Sequence, residues 1–203
     1  MVELYTDGAP NAVAPAGGGQ YGGGTRGART VRKVKNGDVQ RSQPLVGRKL
    51  DFATVHTRDG RTLELHSLER KPVVLVILRG MAGEICVYCY TQVRALCRAM
   101  PQFKEQGANV VVVYPGDADR LGVFWEALSK SEELEGREAP FTFAYDPDFA
   151  LVKSLSIEGN LALPTTLVFD GEGKIRFAYV GEDTADRPDA KRLIEQVKAL
   201  GTP

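Results

Sequence analysis

The run Val73-Val74-Leu75-Val76-Ile77-Leu78 constrains the fold of this chain more than any other feature. Its residues are aliphatic and mostly β-branched, with no polar residue alternating among them. A strand of that kind is buried on both faces, which requires a sheet covered by helices on either side. Pro72 introduces the run, and a second apolar strand is expected from Asn109 to Tyr114. Between them Val93, Leu96, Cys97, Met100 and Phe103 recur at helical spacing. Strand, helix and strand in this order give parallel pairing with a right-handed crossover. Pro101 lies within the helical stripe and is expected to kink or end the helix, with Gly107 as a stop.

The same reading extends along the chain. Phe52 to His56 and Arg61 to Leu65 flank Asp59-Gly60, a two-residue hairpin signal. Ala118 to Leu134 reads as a helix opened by Asp117, Phe141 to Tyr145 as a strand and Ala150 to Leu155 as a short helix. Thr166 to Phe169 and Ile175 to Tyr179 form a second hairpin, and Asp189 to Leu200 closes as an amphipathic helix. The order predicts an α/β three-layer sandwich: a mixed, mostly parallel central sheet flanked by helices, with an N-terminal β-hairpin.

The first 49 residues differ in kind. They hold ten of the 22 glycines, and eight Lys/Arg against three Asp/Glu. Ordering glycine costs entropy and buries little apolar surface in return, so residues 1–43 are expected to be an arm and 44–203 the folded domain. Arg26, Arg29, Arg32, Lys33 and Lys35 give the arm a basic cluster suited to an acidic protein partner. Over the whole chain 26 basic residues balance 26 acidic ones, which argues against a nucleic-acid surface. The longest apolar run falls far short of the roughly 20 residues of a membrane span. Met1 to Val13 lacks the basic start and apolar stretch of a secretory leader. With three cysteines, too few for a disulfide scaffold, a cytoplasmic location is expected.

Cys86 and Cys89 stand between the most buried strand and the first long helix. A helix start presents unsatisfied N–H groups and partial positive charge, both of which favour thiolate. A second cysteine one turn on can close a disulfide, so the pair can store and release two electrons. A structural zinc site needs about four ligands, and only Cys97, His56 and His66 remain as sulfur or nitrogen donors. No metal and no other cofactor is expected. Cys97 lies about 16 Å along the helix from Cys86 within the apolar stripe, and reads as a core residue.

Val73 to Gly80, Cys86-Val87-Tyr88-Cys89 and Gln92-Val93-Arg94-Ala95-Leu96 resemble the thioredoxin-like redoxins, the branch that contains alkyl-hydroperoxide-reductase and peroxiredoxin-like antioxidant proteins. Leu163-Pro164-Thr165 and the following Thr166 to Asp170 resemble the second half of that signature. The resemblance implies a thioredoxin-like fold, with Cys86 and Cys89 catalytic and a cis Pro164 facing them. Leu163, Pro164 and Thr165 would position substrate by strand-like pairing. There are departures. Ile85 replaces the usual aromatic residue before the first cysteine, and the Gly80–Ile85 connection is about three residues longer. Ile77 stands where thioredoxins carry a buried acid. Setting the peroxiredoxin pattern Pro-x-x-x-Thr-x-x-Cys on Cys89 puts Ala82 and Cys86 at its proline and threonine, and the later arginine near Pro164. Arg79 is the candidate to supply the missing positive charge.

Three functions stay open at this point. The first is thiol–disulfide exchange, in which Cys86 attacks a protein or small-molecule disulfide and Cys89 resolves the product. The second is a thiol-dependent peroxidase. The third is a non-catalytic assembly component that docks through its arm.

Overall fold

A computed structural model of the chain describes residues 37–49, 53–68, 70–81 and 83–201. The basic cluster, Phe52 and Ala82 lie outside the described residues. One seven-stranded sheet organises the molecule, in the order β2-β1-β5-β4-β3-β6-β7. Its centre is the buried run read from the sequence: β3, Val73–Ile77, pairs in parallel with β4, Asn109–Pro115. Parallel pairing continues from β4 to β5, Thr142–Asp146. Outward from these three strands every pairing is antiparallel. β6, Thr165–Phe169, lies against β3, and β7, Ile175–Val180, against β6. On the other side β1, Thr54–Thr57, joins β5 and pairs with β2, Thr62–Glu64.

Alternate residues of β3 enter two cores. Val74 and Val76 pack with α2, Val87–Glu105, with α3, Ala118–Ser129, and with α5, Ala190–Ala199, through Val93, Phe103, Phe124 and Leu193. Val73, Leu75 and Ile77 face the opposite core, which includes Leu151 and Val152 of α4, Ala150–Ser154. The sheet is therefore covered on both sides, as the unbroken apolar run demands.

Several local expectations are corrected. The first hairpin turns through three residues, 58–60. Thr57 N–H donates to the Arg61 carbonyl at 2.7 Å, and Gly60 adopts φ +85°, the glycine bulge of a three-residue loop. The helix expected to reach Leu134 ends at Ser129, and the chain turns back through 131–136. α2 runs through Pro101 to Glu105. A proline inside a helix costs about 3 kcal/mol, but Phe103, one position into the next turn, is completely buried. Truncating a buried phenylalanine costs about 3–5 kcal/mol, so packing beyond the proline is large enough to hold the last turn.

Residues 37–43, assigned to the arm by composition, lie on β7. Val39–Ser42 form the short helix α1, capped by Asp38, and Gln43 opens a 3₁₀ turn. Asp38 N–H donates to the Val180 carbonyl at 2.7 Å, and Val180 N–H to Ser42 Oγ at 3.0 Å. These bonds satisfy the Val180 end of the free edge of β7, which composition does not register.

Phe103→Ala is predicted to lower unfolding free energy by about 3–5 kcal/mol, with helix content lost beyond Pro101. Urea denaturation with amide exchange checks this, and full protection of 102–106 in the variant would contradict it.

Candidate active site

The turn from β3 into α2 places the cysteines. Gly80 has φ +86°, and a Cβ there would lie 2.7 Å from the Pro115 carbonyl oxygen, so only glycine lets the chain pass so close to the end of β4. Cys86 then takes the cap position of α2 with φ −66° and ψ 108°, and its sulfur accepts the Cys89 N–H at 3.4 Å. A sulfur thus occupies the place of a capping oxygen and meets one of the unpaired N–H groups of the helix start. Cys86 is half-buried, Cys89 is 1% exposed beneath it, and Val87 and Tyr88 between them point to solvent. Arg79 N–H, just past the end of β3, donates to Cys89 Sγ at 3.5 Å.

A guanidinium completes the site. Arg187 Nη2 lies 3.3 Å from Cys89 Sγ and 3.9 Å from Cys86 Sγ, while Nη1 donates to Gln92 Oε1 of α2 at 2.6 Å and Nε to the Thr184 carbonyl at 3.1 Å. Arg187 belongs to the 181–189 connection between β7 and α5, which is itself tied down. Gly181 N–H donates to the Pro164 carbonyl at 2.8 Å. The carboxylate of Asp186, 2% exposed, accepts the Tyr179 hydroxyl at 2.5 Å and Glu182 N–H at 2.8 Å. A Cβ on Gly181 would come within 2.3 Å of the Asp186 carbonyl oxygen.

These contacts divide the two thiols. Cys86 is lowered to about 5, first by the hydrogen bond with the Cys89 thiol, then by the Cys89 N–H and the charge of Arg187, against the opposing effect of partial burial. Cys89 is pushed well above the ordinary thiol range, first by that shared hydrogen bond and next by burial. Near neutral pH the reduced pair is one thiolate and one thiol. Cys97 is raised to about 11, chiefly by burial and then by Glu133. It packs against the core on α2 and holds its proton at neutral pH.

The other expected residues lie at the same end of the sheet. Thr165 opens β6 opposite Ile77, which brings the 163–165 turn to the sheet end where β3 runs on to Arg79. The Leu163–Pro164 bond is trans, for no described peptide bond is cis. Trans is favoured before proline by about 0.5–1 kcal/mol. Leu163 N–H donates to the Ile157 carbonyl at 2.8 Å, and Thr165 Oγ1 donates to the Leu163 carbonyl at 3.0 Å. Those groups are already engaged within the chain, and none of the described hydrogen bonds to either sulfur comes from residues 163–165. Arg79 reaches the site through its backbone, and Arg187 supplies the side-chain cation. The sequence reading missed Arg187, since no local pattern sets it apart from the other arginines. Among the described residues no cluster of His, Cys, Asp or Glu could hold a metal, and no helix is long and apolar enough to cross a membrane.

Residues 46–178 match the AhpC/TSA family. The chain belongs to that family. No curated protein matches the AhpC/TSA chain in sequence, whereas solved structures share its fold. A reduced 2-Cys peroxiredoxin of Plasmodium vivax aligns with a TM-score of 0.61 at 16% identity, covering 77% of this chain and 81% of its own. A peroxiredoxin-like protein of Aquifex aeolicus gives 0.60 at 18%, covering 76% and 86%. A secreted disulfide oxidoreductase of Mycobacterium tuberculosis gives 0.52 at 19%, covering 72% and 95%. All three establish the thioredoxin-like architecture. Arg187 lies beyond the family match.

With Cys86 near 5, alkylation of the reduced protein at Cys86 is predicted to follow a thiolate titrating near pH 5, far below the ordinary thiol value of 9.0. The linked stability has a definite sign. Between those two pH values the unfolded chain keeps a Cys86 proton that the folded chain has released, so reduced wild type gains stability over Cys86→Ser as pH rises through the window, and loses it as pH falls through 5. Rates of iodoacetamide labelling across pH 4–10 check the assignment, and a midpoint near 9 would refute it.

Proposed function

We propose that the protein is a thiol–disulfide oxidoreductase. The observation that carries this reading is the division of the pair: a half-exposed thiolate at the helix cap stands over a buried, protonated thiol one turn away. The Cys86 thiolate attacks a substrate disulfide, forms a mixed disulfide and releases one thiolate. The Cys89 thiol then attacks Cys86 Sγ, closing the Cys86–Cys89 disulfide and expelling the second substrate sulfur, which takes up the Cys89 proton. Two electrons pass from the pair to the substrate, and the reverse sequence runs from a dithiol. Exposed Val87 and Tyr88 flank the attacking sulfur and offer apolar contact to an approaching substrate.

The family match and the guanidinium favour a second reading, a thiol-dependent peroxidase. In it the Cys86 thiolate attacks one peroxide oxygen to give a sulfenic acid, with Arg187 donating to the departing oxygen. Cys89 condenses with the sulfenic acid, releasing water and the same disulfide. In either reading the chemistry belongs to the folded domain. The basic, glycine-rich arm serves docking to an acidic protein partner, and the protein works in the cytoplasm.

Cys86→Ser is predicted to abolish exchange with a small disulfide, and Cys89→Ser to accumulate a stable mixed disulfide on Cys86. Mass spectrometry of the intact protein after reaction checks both. Trapping on position 89 in Cys86→Ser at the wild-type rate would overturn the roles. Faster turnover of peroxide than of disulfide, with the same dithiol reductant, would favour the peroxidase.

A further inference from the structure

The resolving step poses a problem that the exchange reading leaves open. Cys89 must become a thiolate, yet it is buried, and Ile77 stands where an acid–base helper would be expected at the end of β3. Tyr114 of β4 packs in the same core cluster, but its hydroxyl is buried without a hydrogen-bond partner among the described residues and is pushed up to about 12, chiefly by burial, so it stays neutral. The charged side chain that reaches Cys89 Sγ is Arg187, which lies closer to Cys89 than to Cys86.

We propose, resting on the disulfide-exchange reading, that Arg187 is the catalytic residue that stabilises the Cys89 thiolate in the resolving step, and that Gln92 and Asp186 are positioning residues that hold it there. In the reduced pair the shared hydrogen bond and the negative charge of Cys86 both keep the proton on Cys89. When Cys86 is bonded to a substrate sulfur it carries no charge, and both influences vanish. What then opposes ionisation is burial, and what favours it is the Arg187 charge together with the Arg79 N–H. The guanidinium therefore acts when the resolving thiol is needed. A cation takes the part of the missing acid, lowering the energy of the thiolate without accepting its proton, which leaves with the substrate thiol.

The placement is built to be held. Gln92, on the second turn of α2, accepts from Nη1 and so points Nη2 at the sulfurs. The buried carboxylate of Asp186 folds the connection back on itself through Tyr179 and Glu182. Pro188 follows directly, and Asp189 caps α5 by accepting the Arg192 N–H at 2.7 Å, so Arg187 has an anchored segment on either side.

The two steps can be timed separately with dithiobis(nitrobenzoate), a disulfide whose thiolate product is coloured. Attack by Cys86 releases the first equivalent, and resolution by Cys89 the second. In Arg187→Met at pH 7 the first phase is expected to stay near the wild-type rate, because a Cys86 thiol starting at about 5 remains ionised even after a modest rise. The second phase is expected to slow by about tenfold, the loss of thiolate that goes with one unit of pKa, and its pH midpoint to move upward. Arg187→Lys should recover part of that rate by restoring the charge. Gln92→Leu, which keeps the guanidinium but releases its aim, should slow the second phase alone and to a smaller extent. A second phase unchanged in Arg187→Met, or both phases slowed by the same factor, would overturn the proposal. If Arg187→Met does not fold, the neutral Arg187→Gln replaces it, and an unchanged second phase there overturns the proposal equally. Failure of the wild type to release a second equivalent would defeat the exchange reading, and this proposal with it. That failure is visible before any Arg187 variant is compared.

Discussion

The hydrogen bond from Cys89 N–H to the Cys86 sulfur is the contact on which the site depends. It makes the first cysteine the cap of a 19-residue helix, so that the start of the longest described helix and the proposed nucleophile are the same residue. Negative charge is favoured there by the unpaired N–H groups and by the helix dipole. Nearby groups reinforce the bias: the shared thiol hydrogen bond and the charge of the Arg187 guanidinium. The pair is asymmetric because its surroundings are. One sulfur is half-exposed at the helix cap, and the other is in the core.

That asymmetry needs a rigid base. β3 is buried on both faces and bonded on both edges, to β4 in parallel and to β6 antiparallel. Its last residue, Ile77, faces Thr165 at the start of β6, and β6 is bonded in turn to β7. The connection that carries Arg187 leaves β7 and is pinned to the Pro164 carbonyl through Gly181. Strand ends at one edge of the sheet thus bring together residues about a hundred positions apart in sequence. The cysteine pair stands at the start of the helix that leaves the same end of the sheet. Gly80 and Gly181 are required because the backbone passes other carbonyl oxygens too closely for any side chain.

Much of this was legible in the sequence. The unbroken run of β3, the helical stripe of α2 and the spacing of Cys86 and Cys89 carry their meaning locally, through periods set by strand and helix geometry. The Asp117 cap was legible from its local pattern as well. What escaped depends on contacts between distant segments. The helix survives Pro101 because Phe103 is buried against the sheet. Residues 37–43 are ordered by the free edge of β7, which nothing in their glycine and charge content reveals. Arg187 meets the two sulfurs only when the connection after β7 folds over the start of α2. The Leu163–Pro164 bond is trans, whereas the family resemblance implied cis.

The reduced pair holds one thiolate and one thiol over the whole neutral range, and the pH dependence of its reduction potential tests this most directly. Reducing the disulfide to one thiolate and one thiol takes up two electrons and one proton, so the potential should fall by about 30 mV per pH unit between pH 6 and 8. Stabilising the reduced thiolate should also leave the couple more oxidising than thioredoxin, which stands near −270 mV. A slope of about 60 mV per unit over that range would mean two protons for two electrons. Both cysteines would then be ordinary thiols, and the division of the pair into nucleophile and resolving thiol by charge would be contradicted.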